Sequence, residues 1–138
     1  MALLKEAPDL EILAGLKLAV MREREALGEV LGFLAELDLR RLHEPEGFSS
    51  LFEYCTQELG YAEGAAYKRI TVARLTQSYP EILAAISRGR VSLGTLSALA
   101  PHINKENCAS LLCRATGKSV REVERLAAEL APKPDTKD

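Results

Sequence analysis

The chain has 138 residues, 47% of them hydrophobic and 28% charged, and it carries a formal net charge of −2. This length suits one domain with a single hydrophobic core, and the composition is that of an ordinary soluble protein. We expect no signal peptide, and no apolar run approaches the ~20 residues that cross a membrane. We therefore expect a cytoplasmic protein with no membrane partner.

No segment alternates apolar and polar residues over the length of a strand, so the sequence predicts an all-α fold. We expect a long N-terminal amphipathic helix, followed by a compact bundle of about five to six short helices. The cysteines, Cys55, Cys108 and Cys113, lie in apolar helical runs and lack the spacing of metal ligands. We expect all three to be small buried hydrophobic residues in a reducing environment.

Residues 1–44 are predicted to form the long helix, which carries a heptad stripe. One line of apolar residues recurs every seven positions: Leu13, Val20, Leu27 and Leu34. A companion line is interrupted only by a glutamate: Leu16, Glu23, Val30 and Leu37. Such a stripe packs either on the rest of the domain or on a second copy in a homodimer, and the pattern leaves both open. Gly28 and Gly32, one turn apart, either admit a neighbouring helix or mark a bend.

A second region, residues 45–130, begins at Pro45 and Gly47, and His43 in the connector is expected at the surface or in a helix cap. Within this region, residues 50–75 have the pattern of a helix-turn-helix. Ser50 and Glu53 form a predicted capping box, and Gly60 suits the left-handed residue that ends a helix. The apolar residues of the first helix are expected on one inward face: Leu51, Phe52, Cys55 and Leu59.

Short helices are predicted to fill the rest of this region. Pro80, Ser92 and Ser119 are placed to begin helices, while Gly89 and Gly117 are placed to end them. Residues 131–138 are polar and contain prolines, as expected of a linker or tail.

The charge is unevenly distributed along the chain. Residues 1–60 hold 6 Lys/Arg and 12 Asp/Glu, whereas residues 61–130 hold 10 Lys/Arg and 6 Asp/Glu. A basic half suits contact with phosphates, although a balance of +4 is modest for a DNA-binding domain. The candidate nucleic-acid-binding residues are Tyr67, Lys68, Arg69, Arg74, Arg88 and Arg90. The alternative is that Arg69 or Arg74 pairs with a glutamate of the acidic long helix and is structural.

Three runs carry a resemblance: GFSSLFEYCTQELGYAEGAAYKRITVAR, YPEILAAISRGRVSLGTLSALAPHINKEN and SVREVERLAAELAPKPD. Over residues 37–135 the chain resembles the N-terminal helical region of bacterial HNH endonuclease-like proteins. In that family the helical region precedes a nuclease domain with a histidine-rich ββα metal motif. The motif is missing here, where the two histidines are His43 and His102. No catalytic residue is therefore carried over.

The sequence contains no phosphate-binding glycine loop and no triad-like arrangement, so we predict no catalytic residue, metal site or cofactor and no small-molecule substrate. The predicted function is a non-catalytic domain that binds duplex DNA, as the targeting region of an HNH endonuclease-like protein or as a free-standing relative. The alternative is a homo-oligomerisation or protein-interaction module without nucleic-acid contact, which would use the stripe at Leu13, Val20, Leu27 and Leu34.

Overall fold

The computed structural model describes residues 4–130, which form helices joined by turns and short connectors, with no strand among them. A 3-10 turn at Leu4–Glu6 precedes a long helix α1, Asp9–Arg40. The helices that follow are α2 (Leu51–Glu53, continued by a π-helical turn at Tyr54–Glu58), α3 (Glu63–Ser78), α4 (Glu81–Ser87), α5 (Leu93–Leu99, continued by a 3-10 turn at Ala100–His102), α6 (Cys108–Ala115) and α7 (Val120–Leu130). The predicted all-α fold is confirmed, with its long first helix and compact set of shorter ones. The predicted tail, residues 131–138, lies outside the described residues.

The predicted glycine stops and serine caps lie where the sequence places them. Gly60, Gly89 and Gly117 have φ angles of 78°, 74° and 75°, a conformation that glycine adopts without steric cost. The Ser50 hydroxyl accepts from the Glu53 backbone N–H at 3.0 Å. The other half of that capping box was predicted wrongly: the Glu53 carboxylate accepts from the Ser49 hydroxyl at 2.6 Å.

The π-helical turn changes which residues of the first short helix face inward. Leu51 and Cys55 are buried as expected, but Phe52 and Leu59 are 39% and 45% exposed. A π turn holds more residues than an α turn, so Leu59, which follows it, rotates away from the position that α-helical spacing predicts. Phe52 lies before the turn and is exposed on the outer side of α2, next to the buried Leu51. The prediction that all four side chains share one inward face is therefore wrong.

The C-terminal half of α1 lies against α3 and α4, and its residues join the main hydrophobic core. Leu31 and Leu34 of α1 are buried together with core residues of the later helices, including Leu96 and Val123. Gly28 is buried where α4 crosses, since a Cβ there would clash with the Ser87 hydroxyl oxygen. Of the two roles considered for this glycine, the structure favours close helix approach.

The two halves of the predicted stripe on α1 have different environments. Leu34 is buried and Leu27 packs against the core, so this half serves the domain itself. Residues 9–19 are all exposed, and Leu13 is 58% exposed. Val20 is partly buried. The N-terminal half of α1 therefore extends beyond the bundle with its apolar residues uncovered.

Two further single-residue expectations are wrong. His43 is buried, with 5% exposure, because the chain turns back after α1: the Phe48 N–H donates to the His43 carbonyl at 3.0 Å. Cys113 is exposed, whereas Cys55 and Cys108 are buried. The buried face of α6 is formed by Cys108, Leu111 and Ala115, and helical spacing puts Cys113 on the other side.

Candidate nucleic-acid interface

Arg74 on α3 is held by an ion pair to the long helix. Its Nη2 and Nε donate to the two carboxylate oxygens of Asp38 at 3.1 and 3.2 Å, and Gln77 donates to the same carboxylate at 3.0 Å. The Arg74 guanidinium holds the pKa of Asp38 below its usual value, with partial burial opposing the shift. One of the candidate nucleic-acid-binding residues thus joins α3 to α1.

Arg69 is also engaged within the domain. Its guanidinium carbon lies 4.5 Å from the centroid of the Tyr61 ring, within the range of a cation–π contact. Its Nη1 donates to the Ala65 carbonyl at 3.2 Å, and its Nε is buried with no hydrogen-bond partner among the described residues. Arg69 therefore packs against the turn that joins the two helices of the predicted helix-turn-helix.

The outer side of α3 retains Lys68 and Tyr67, and the latter is 64% exposed. The rest of the helix is occupied by packing, because α3 contacts α1, α2, α4 and α5. Its buried residues are Ala66, Ile70, Val72, Ala73 and Thr76. Of the three cations predicted on α3, Lys68 is the one with neither an ion pair nor a cation–π contact among the described residues.

Arg88 and Arg90, the other two candidates, lie in a different part of the surface, where two glycine turns meet. Both side chains are exposed and flank Gly89, which ends α4. The Gly117 N–H, at the end of α6, donates to the Arg90 carbonyl at 3.2 Å. This hydrogen bond brings the α6–α7 turn beside the α4–α5 turn.

Three cations that the sequence analysis did not select join them there. Arg24 of α1 lies over Gly89, where a Cβ would approach its Nη1 to 2.7 Å. Arg24, Arg90 and Lys118 line one depression of about 330 Å³, and Arg114 and Lys118 line the next. We call this set the basic surface: Arg24, Arg88, Arg90, Arg114 and Lys118.

No carboxylate among the described residues lies within ion-pairing distance of these five cations, whose side chains are all exposed. Acidic residues border the surface without forming ion pairs with it. Glu25 and Glu81 line depressions with Arg88, and Glu122 and Glu129 line one with Lys118. The carboxylate of Glu122 is used in its own helix cap, where it accepts from the Ser119 N–H at 2.9 Å. Exposed, unpaired cations of this kind are suited to phosphate contacts.

The sequence indicates the positions of two members of the basic surface. Arg90 and Lys118 each follow a helix-ending glycine, so both lie in turns and neither is required by a helix face. Arg24 carries no such signal, because only the crossing of α1 by α4 brings it to Gly89.

The described residues contain no cluster of three His, Cys, Asp or Glu side chains arranged to hold a metal ion. Among them, no helix combines the length and the apolar character needed to cross a membrane. Comparison of the chain with protein-family models, with curated proteins and with solved structures finds no match.

Proposed function

We propose that this domain binds duplex DNA without catalysing a reaction, and that it does so through the basic surface. In this proposal the backbone phosphates are contacted by Arg24, Arg88, Arg90, Arg114 and Lys118, while α3 contributes Lys68 and Tyr67 at most. Arg69 and Arg74 have structural roles. The resemblance to HNH endonuclease-like proteins would make the domain the targeting region of such a protein.

The observation that carries the proposal is the gathering of five unpaired cations from four parts of the chain. α1, the α4–α5 turn, the last turn of α6 and the α6–α7 turn each supply at least one of them. The protein as a whole carries a charge of −2, so a local concentration of positive charge runs against its average. Contacts of this type carry little sequence information, and we expect binding by charge more than by base recognition.

Binding is tested with a fluorescein-labelled 20-base-pair duplex, by anisotropy at two ionic strengths. We expect a dissociation constant in the micromolar range at low salt, which rises steeply as salt is added because phosphate contacts release counterions. The variant Arg88→Glu/Arg90→Glu should bind at least about tenfold more weakly. Its salt slope should be shallower by about two, one for each arginine that no longer neutralises a phosphate.

The matched control is Lys17→Glu/Lys105→Glu, which changes the net charge equally at exposed positions outside the basic surface. It should bind almost as well as the unmodified chain. If the control loses as much affinity as the test variant, net charge and not this surface governs binding. If Lys68→Glu alone abolishes binding, the outer side of α3 is the interface; absence of binding at low salt refutes DNA binding altogether.

The predicted alternative, a self-association module, depends on a different surface. It is supported by the uncovered apolar residues on the N-terminal half of α1, such as Leu16, which is 62% exposed. The two functions are compatible, because the basic surface and this face of α1 share no residue.

A further inference from the structure

We propose that a second copy of this chain covers α1, in an antiparallel arrangement that pairs the free N-terminal half of each α1 with an apolar groove on the other copy. The inference does not depend on DNA binding.

The fold leaves a second heptad line on α1 uncovered. It consists of Ile12, Ala19, Ala26 and Phe33. All four are exposed, and Phe33 is 76% exposed. The line of Leu16, Glu23, Val30 and Leu37 lies beside it and completes the seam. Leu16 and Glu23 are exposed, whereas Val30 and Leu37 are partly buried against the core. Leu27 and Leu34 turn further toward the core. We call this pair of lines the free seam.

The free seam continues from the extended half of α1 into an apolar groove on the bundle. In the groove Val30, Phe33 and Leu37 of α1 face Tyr54, Leu59 and Tyr61, around a volume of about 530 Å³. This groove includes the side chain that the π-helical turn directs outward, since Leu59 is 45% exposed. The N-terminal half of the free seam is therefore an exposed helix face. The C-terminal half forms one wall of a groove of similar length.

Charge and size select one register for a pair of such seams. In an antiparallel coiled coil, each residue of one line packs opposite a residue of the other line on the partner helix. When Leu16 packs opposite Phe33, Ile12 packs opposite Leu37 and Ala19 opposite Val30. Glu23 then faces the small side chain of Ala26, which leaves its carboxylate free to reach solvent.

The same register places opposite charges together at the edge of the seam. Arg22 and Glu29 lie one heptad apart along this edge, both exposed and neither in an ion pair within the described residues. In this register Arg22 of each copy lies opposite Glu29 of the other, which gives two symmetric pairs. A shift by one heptad in one direction sets Arg22 against Arg22. The opposite shift brings Arg22 opposite Glu36, but it sets Glu29 against Glu29 and Glu23 against the large Phe33 side chain. A parallel pair would bury Glu23 against Glu23.

The pairing is symmetric, as expected of a closed two-fold dimer. Each copy inserts its own Ile12, Leu16 and Ala19 into the groove of the other, so one interface covers both exposed faces. The overlap from residue 12 to residue 37 spans about 38 Å at 1.5 Å per residue.

The test measures the molar mass and dissociation constant of the full chain by sedimentation equilibrium, over concentrations from 1 to several hundred micromolar. A dimer is expected. The variants Leu16→Glu and Phe33→Asp should raise its dissociation constant at least about tenfold, while circular dichroism stays unchanged because both side chains are exposed in the single copy. The control is Met21→Asp, on the opposite side of α1 and 55% exposed, which should leave the dimer intact.

Orientation and register are tested by a charge exchange. Arg22→Glu and Glu29→Arg should each weaken the dimer about tenfold, and the double variant Arg22→Glu/Glu29→Arg should restore it. These residues are two turns apart on one helix, so rescue reports a contact between copies. The proposal is overturned if the chain is a monomer throughout the concentration range. It is also overturned if Leu16→Glu and Phe33→Asp leave the dissociation constant of the dimer unchanged. A dimer that the double variant does not restore overturns the antiparallel register.

Discussion

Arg74 of α3 and Asp38 of α1, which are 36 residues apart in the chain, form a two-point ion pair that joins the two helices. The Nε and Nη2 atoms of Arg74 both donate to the same carboxylate. The contact therefore fixes the orientation of the guanidinium as well as its distance from Asp38. The last turn of α1 is thereby anchored to the middle of the bundle. Arg74, one of the residues predicted to contact DNA, is therefore also positioned to orient the long helix.

Removal of this contact should lower stability. Arg74→Met keeps the length of the side chain and removes its charge, and it leaves Asp38 with Gln77 as its remaining side-chain donor. Because the Arg74 side chain is 56% exposed, screening limits the loss to about 1 kcal/mol in the free energy of unfolding. Urea unfolding followed by circular dichroism measures it. Arg40→Met, which breaks an exposed local pair with Glu36, is the control and should cost less than about 0.5 kcal/mol.

The same carboxylate should make the domain less stable in acid. The pKa of Asp38 is lowered in the folded protein by the Arg74 hydrogen bond, so the folded state holds the proton less readily than the unfolded chain does. The resulting stabilisation is complete above the unfolded pKa, near 4, and is lost as the pH falls through the lowered folded value. Asp38→Asn should flatten the decline in unfolding free energy below about pH 4.

That decline should not vanish in Asp38→Asn. The pKa values of Glu44 and Glu122 are also lowered, by Arg41 and by hydrogen bonds at Ser119 respectively. A decline identical to that of the unmodified protein would show that Asp38 is not the main group responsible.

Gly28 should tolerate no large side chain. Its Cα lies where α4 crosses α1, and a side chain there would meet the Ser87 hydroxyl and the Leu83 carbonyl. Gly28→Leu must separate the two helices, at a cost of about 1–3 kcal/mol. Gly15→Leu is the control, because no atom lies within 4 Å of the position its Cβ would take. Thermal unfolding should show a large drop for the first variant and none for the second.

The three cysteines should differ sharply in reactivity. Burial, together with the nearby Glu81, raises the pKa of Cys108 to about 11, and burial also raises the pKa of Cys55. Cys113 is exposed. At neutral pH iodoacetamide should therefore alkylate Cys113 at least about a hundredfold faster than the other two. Peptide mass spectrometry counts the modified sites. Equal labelling of all three in the folded protein would contradict this assignment of burial.

Local features of the fold were predictable, and contacts between distant residues were not. Gly60, Gly89 and Gly117 could be placed because a left-handed helix end selects glycine from the sequence alone. The Arg74–Asp38 pair could not be placed, because it depends on how α3 crosses α1. The outward position of Leu59 depends on a π turn that leaves no mark in the residue pattern. Two of the five cations of the basic surface were predicted, and Arg24 reaches it only through packing.

The exposed start of α1 has a consequence for amide hydrogen exchange. Residues 9–19 have no tertiary contact that buries them, and a helical segment of this length without such contacts is marginal in water. In a single copy, deuterium should enter these amides quickly. Amides near Leu31 and Leu34 should exchange only when the whole domain unfolds. A gradient of protection therefore runs along one continuous helix. If the chain dimerises at higher concentration, the amides of residues 9–19 should become protected as well, and exchange measured at each residue would report the association.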